Sequence, residues 1–185
     1  MTQPVVTEVY GLESPSITLG WRLAGAASKD VELVNLLSQV LYNGKAGLLD
    51  LNINQQQKLL SCYGYFYPLA DHSILLIQAR PKEGQTLDEA KVIILSEIEK
   101  LKNGDFDESL LTATINNFKR DQMQMLEENE GRADMFVSSF INGTNWSDEV
   151  HTLEKMSKIT KDQITAFAKE NLGDGYAEIL KLQGK

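Results

Sequence analysis

The chain has 185 residues, of which 42% are hydrophobic and 24% charged, and it carries a net charge of −8. That length suits one domain that buries about 70% of its unfolded surface without a disulfide or metal staple. The acidic balance argues against a nucleic-acid surface or an anionic-membrane patch, and no apolar run approaches the roughly 18 residues of a membrane span.

In chain order, Val5 to Tyr10 and Ser16 to Leu23 read as strands, with Ile17, Leu19 and Trp21 alternating against Thr18, Gly20 and Arg22. Gly25-Ala26-Ala27 breaks the pattern. Ser28 is placed to cap a helix from about Lys29 to Asn43, with Asp30 in its first turn. Leu33, Leu36, Leu37, Val40 and Leu41 follow helical spacing, and Gly44 stands as the C′ stop. Ala46 to Leu51 reads as a short helical turn, followed by the polar run Asn52 to Gln57. Leu59 to Tyr67 is an aromatic strand, and Ser73 to Ala79 returns beside it as an antiparallel hairpin.

From Thr86 onward the spacing is helical. Thr86-Leu87-Asp88-Glu89 is a capping box, and Asn103-Gly104 ends that helix. Asp107 caps the next helix, with Phe106 and Leu111 as a hydrophobic staple. A break is expected at Gly131, a stop at Asn142-Gly143, and a short helix capped by Ser147. Ile159 to Ile164 combines capping box and staple, Gly173 and Gly175 end that helix, and Tyr176 to Leu182 is a last strand that must pair back into the sheet. The expected fold class is α+β: a mostly antiparallel sheet of about five strands with a cluster of helices on one face. Residues 1–185 read as a single domain, and the abrupt start at Met1-Thr2-Gln3-Pro4 implies one excised from a longer chain.

Few side chains offer chemistry. The single cysteine, Cys62, lies in an apolar, aromatic run and reads as core packing, so no disulfide forms within the chain. His72 falls in a turn. His151-Thr152-Leu153-Glu154-Lys155 is one substitution short of H-x-x-E-H, but Lys155 holds the second histidine's place and would repel a cation, and a catalytic zinc needs three protein ligands. Neither G-x-S-x-G nor G-x-x-x-x-G-K-[ST] nor G-x-G-x-x-G occurs. The Tyr63 to Tyr67 strand could stack on single-stranded nucleic acid, but the net charge favours core or sheet-face packing.

Val34 to Gly44 reads Val-Asn-Leu-Leu-Ser-Gln-Val-Leu-Tyr-Asn-Gly. It resembles, position by position, the catalytic helix of the pitrilysin/insulinase-type zinc metallopeptidases (inverzincins), whose signature is H-x-x-E-H followed by a hydrophobic turn and a Gly. On that register Asn35 and Gln39 stand where the zinc histidines would be, and Ser38 stands where the catalytic glutamate would be. An amide is a poor zinc ligand and a hydroxyl cannot act as the carboxylate base. Leu36 to Pro81 is similar to the second structural domain of one half of such a chain. Glu97 to Phe106 resembles the family's E-x-x-K-x-G-x-F/I helix junction, and Ile159 to Leu172 its closing helix. In that family, paired copies of an α/β roll enclose an unfolded peptide, one copy carrying zinc and its partner supplying a wall. The family's C-terminal half often brings an Arg seven residues before a Tyr to the substrate. Here Gln56 precedes Tyr63 at that spacing, which fits the wall domain of the first half better.

The resemblance implies a catalytically inactive domain of a larger zinc metallopeptidase. It implies no catalytic residue, metal or cofactor here, zinc in a separate domain of the parent, and a homologous catalytic domain and an unfolded peptide as partners. The net charge and the lack of a long apolar run add the expectation of no nucleic acid and no membrane insertion. A scaffold module of a wholly inactive peptidase-like protein is the alternative, and an enzyme using Cys62 or His151 is a third reading. Periplasmic and cytoplasmic parents fit the sequence equally.

Overall fold

The alternation of Ile17, Leu19, Trp21 and Leu23 builds the central strand, β2 (Ser16–Ala24), with those four side chains buried on one face. The structure, a computed structural model, describes residues 3–184; Met1 and Thr2, at the abrupt start of the sequence, and Lys185 lie outside the described residues. β2 pairs antiparallel with β4 (His72–Arg80) on one side and with β5 (Ala177–Gln183) on the other. β3 (Ser61–Tyr67) forms the expected hairpin with β4, and β1 (Val5–Gly11) lies parallel to β5 at the opposite edge. The order β1-β5-β2-β4-β3 makes a mixed, mostly antiparallel five-stranded sheet, the α+β class expected from the pattern.

The last strand enters between the first two. The four-residue link Leu12 to Pro15 between β1 and β2 would suit a hairpin, but β5 takes the place between them. Trp21 fixes this return: its indole N–H donates to the Gly173 carbonyl at 3.0 Å, and its ring lies 5.3 Å from that of Tyr176. Glu178 of β5 points to the helix side, where the Lys91 ammonium meets it at 2.6 Å. That pairing satisfies a charge that burial would otherwise penalise.

The helices are α1 (Val31–Leu41), α2 (Leu87–Asn103), α3 (Ser109–Glu127), α4 (Asn129–Asn142), α5 (Trp146–Glu149), α6 (Thr152–Met156) and α7 (Lys161–Asn171). Leu36, Leu37 and Val40 of α1, Ile94 and Ile98 of α2, and Ile164 and Ala168 of α7 join Ile17, Leu19, Leu75 and Ile77 of the sheet in one core. The capping boxes Thr86/Glu89 and Thr160/Gln163 both form, with the expected reciprocal hydrogen bonds. Asp107 Oδ1 accepts the Ser109 amide at 2.7 Å at the start of α3. Within the E-x-x-K-x-G-x-F junction, Glu99 pairs with Lys102, Gly104 takes the left-handed cap at φ 74°, and Phe106 is buried.

Local departures have local causes. Asp30, not Ser28, occupies the N-cap of α1, and the Ser28 hydroxyl is buried without a partner. α1 ends because Tyr42 turns extended (φ −149°, ψ 124°), two residues before Gly44. The turn expected over Ala46 to Leu51 runs later, as a π-helical turn at Asp50–Asn54 whose Asn52 amide binds the fully buried Glu97 at 2.7 Å. The break between α3 and α4 comes at Glu128 (ψ 139°) rather than Gly131. Gly131 is needed for a close approach instead, because a Cβ there would lie 2.3 Å from the Met125 carbonyl oxygen. Asn145, whose side chain accepts the Ser147 amide, caps α5 in place of Ser147.

Candidate functional site

Positions i, i+3 and i+4 of a helix share a face, so Asn35, Ser38 and Gln39 lie on one side of α1. The opposite side is sealed into the core by Leu36, Leu37, Val40 and Leu41. Ser38 is buried, and its hydroxyl donates to the Asn35 carbonyl at 2.7 Å, a bond within its own helix. The Asn43 side-chain amide donates to the Gln39 carbonyl at 3.0 Å. Asn35 and Gln39 are half-buried, and Asn35 borders a cleft of about 640 Å³ between the start of α1 and α4 to α6.

That cleft already holds a cation. The Lys155 ammonium sits 3.1 Å from Glu32 and 3.0 Å from Asp148. The hydrogen bond to Asp148 first, and Glu32 second, push its pKa above the ordinary lysine value. Zinc, the metal the resemblance implies for the active copy, does not fit these residues: two amides and an engaged hydroxyl supply no anionic or imidazole donor, and a fixed ammonium stands nearby. Among the described residues no group of three or more His, Cys, Asp or Glu is placed to hold a metal ion.

Of the other candidates only the His151 to Lys155 segment reaches this cleft, through Lys155. Cys62 is fully buried, its backbone clamped by both side-chain atoms of Asn54, and burial pushes its thiol up to about 12. A thiol that stays protonated is a poor nucleophile. His151 caps α6, with Nδ1 2.6 Å from the Ser147 carbonyl. Glu154 pairs instead with Lys158 at 2.7 Å, a hydrogen bond that holds its carboxyl below the usual range. Lys155 is committed to Glu32 and Asp148, so the near-match to H-x-x-E-H is a set of ion pairs. His72 is exposed at the start of β4.

The sequence profile described as "Peptidase M16 inactive domain" matches residues 2–118. The chain belongs to this family. The fold is shared over nearly the whole chain. It superposes on a protease from Helicobacter pylori with a TM-score of 0.87 at 19% identity, covering 96% of this chain and 43% of that one. For a peptidase M16 inactive domain from Pseudomonas fluorescens the TM-score is 0.83 at 15% identity, with 100% and 44% covered. For a chain of complex III2 from Candida albicans it is 0.74 at 15%, with 98% and 46% covered. The chain thus spans less than half the length of these three. No curated protein sequence matches it significantly.

The second face of the sheet in this M16 domain is bare. Tyr63, Tyr65 and Tyr67 form a ladder with ring centroids 6.5 and 6.3 Å apart, registered against Gln78, Leu76 and Ile74. The tyrosines are therefore sheet-face residues, open to solvent and outside the core. Beside them Gly20, Arg22, Leu69, His72, Ile74 and Leu76 line a shallow apolar cavity of about 490 Å³. A Cβ at Gly20 would stand 2.8 Å from Leu76 Cδ2, so glycine there leaves room for the leucine. This surface did not emerge from reading single motifs. Its signal was the unbroken run Ile74-Leu75-Leu76-Ile77, which puts apolar side chains on both faces of a strand.

Proposed function

We propose that this domain is a zinc-free wall of a larger zinc metallopeptidase, enclosing an unfolded peptide together with a homologous, zinc-bearing domain of the same chain or of a partner subunit. The observation that supports this reading is α1: Leu36, Leu37, Val40 and Leu41 seal one side into the core, and the face that the resemblance aligns with ligands and base carries only Asn35, Ser38 and Gln39. Family membership supports it, as does the size of the Helicobacter and Pseudomonas chains, roughly twice that of this domain. The whole of residues 1–185 acts as one such roll, part of a longer protein. The bare sheet face, with Tyr65, Ile74, Leu76 and Ile179, is the surface assigned to the companion domain. An apolar face of this extent gains by leaving water.

The test is cleavage of an unstructured peptide by the parent protein and by this chain alone. The parent is expected to cleave in a manner abolished by a chelator and restored by zinc, and the chain alone to leave the peptide intact. Zinc-independent cleavage by the parent, or cleavage by this chain alone, would overturn the proposal. The likeness to a complex III2 chain favours a second reading, a scaffold in a wholly inactive peptidase-like assembly. An intact H-x-x-E-H in the homologous companion domain selects the first reading, and its absence selects the second.

A further inference from the structure

Helix α4 shows its apolar side to solvent. Phe136, Val137, Phe140 and Ile141 fall with Ala133 on one stripe at helical spacing. They are 54%, 53%, 88% and 65% exposed, whereas the sole buried residue of the helix is Ser139. Phe136 stacks on Trp146 of α5 at 4.2 Å between ring centroids, so the aromatic anchor is held in place before any partner arrives. Val150, 53% exposed, follows α5. A contiguous apolar patch of this kind marks an interaction site.

Charge says what covers it. Glu130 and Asp134 flank the stripe along α4, Glu127 and Glu128 stand before its first turn, and Asp148 and Glu149 follow its end. Residues 119–150 hold seven acidic and three basic side chains, half of the chain's net −8. Of those bases, Arg120 is paired to Asp121, and Arg132 turns back to the Leu126 carbonyl and the Asn129 side chain. The third, Lys119, is exposed on α3, and Lys155, outside that stretch, reaches Asp148 but divides itself with Glu32. A second copy would set acid against acid in either orientation, because both ends of α4 carry it. The complement is a helix with its own apolar stripe and with lysine or arginine on its flanks.

We propose that α4 docks a cationic amphipathic helix of a partner protein. The surface lies beyond residue 118, outside the stretch that matches the family profile, and it does not depend on the zinc-peptidase reading.

The experiment titrates the full 185-residue chain into a fluorescein-labelled peptide of about 16 residues, leucines on one helical face and lysines on the other, and follows anisotropy. A scrambled peptide of equal composition and a peptide with glutamate for lysine serve as comparators. The patterned peptide is expected to bind at least about tenfold tighter than the scrambled one and to lose about tenfold on Phe140→Ser. The doubly reversed variant Glu130→Lys, Asp134→Lys should prefer the glutamate peptide. Circular dichroism checks that each variant is folded. Equal binding of patterned and scrambled peptides, indifference to Phe140→Ser, or no change of preference on charge reversal would overturn the proposal. So would a sedimenting dimer of the unliganded chain that Phe140→Ser dissolves, since a second copy would then cover α4.

Discussion

Helices α1 and α4 have opposite fates. Both carry four or more large apolar side chains at helical spacing, yet α1 buries Val34, Leu36, Leu37, Val40 and Leu41, whereas α4 buries only Ser139. The difference lies in what each helix meets. α1 lies over the sheet, where Cys62, Leu75 and Ile77 rise to receive it, while α4 leaves α3 at the sharp bend of Glu128 and lies away from the sheet. An apolar stripe therefore states that a helix has a partner, and only the fold says whether the partner is inside the domain.

The contrast can be broken at either end. The largest effect is expected at α1: Leu37→Ala opens a cavity in the core and should lower unfolding stability by about 2–5 kcal/mol in a urea titration. A loss below about 1 kcal/mol would place α1 outside the core.

Next comes the pH dependence of the core that α1 covers. Burial raises the folded-state pKa of Cys62 to about 12, against an unfolded thiol near 8.5. A raised folded pKa contributes stability that is complete below the unfolded value and is lost as pH rises toward the folded one. By pH 10 the loss should reach about 2 kcal/mol, and Cys62→Ala should remove that slope. Equal slopes in the two proteins would contradict the burial.

Smaller still, Asn35→Ala should change stability by less than about 1 kcal/mol, because the Ser38 hydroxyl binds the backbone carbonyl of Asn35, which the substitution keeps. The smallest effect belongs to Phe140→Ser, within about 0.5 kcal/mol of wild type, since the ring is already in water. A loss like that of Leu37→Ala would erase the distinction between the two helices.

Much of this was legible in the residues themselves. The alternation in β2, the β3–β4 hairpin and the two capping boxes are local features, and local chemistry decides them. The insertion of β5 between β1 and β2 was not legible, because the contacts that accompany it, such as Trp21 to Gly173, join residues 152 apart in sequence. Ser28 and Ser147 looked like caps because serine favours that position, but Asp30 and Asn145 stood nearer the true helix starts. Helical spacing was enough to put Asn35, Ser38 and Gln39 on one face of α1, and only the family resemblance gave that face a meaning. Its neighbour Lys155 was not legible, because the ion pair with Glu32 joins elements far apart in the chain. α4 was legible as a helix, but its exposure is a tertiary fact.

We propose that this M16 domain keeps the frame of a catalytic helix without the means to hold its metal. Zinc content of the purified chain, measured by elemental analysis after equilibration with excess zinc and gel filtration, tests it most directly. The expected value is well below one zinc per chain, unchanged in Asn35→Ala and Gln39→Ala. One zinc per chain, lost on substituting either residue, would contradict it.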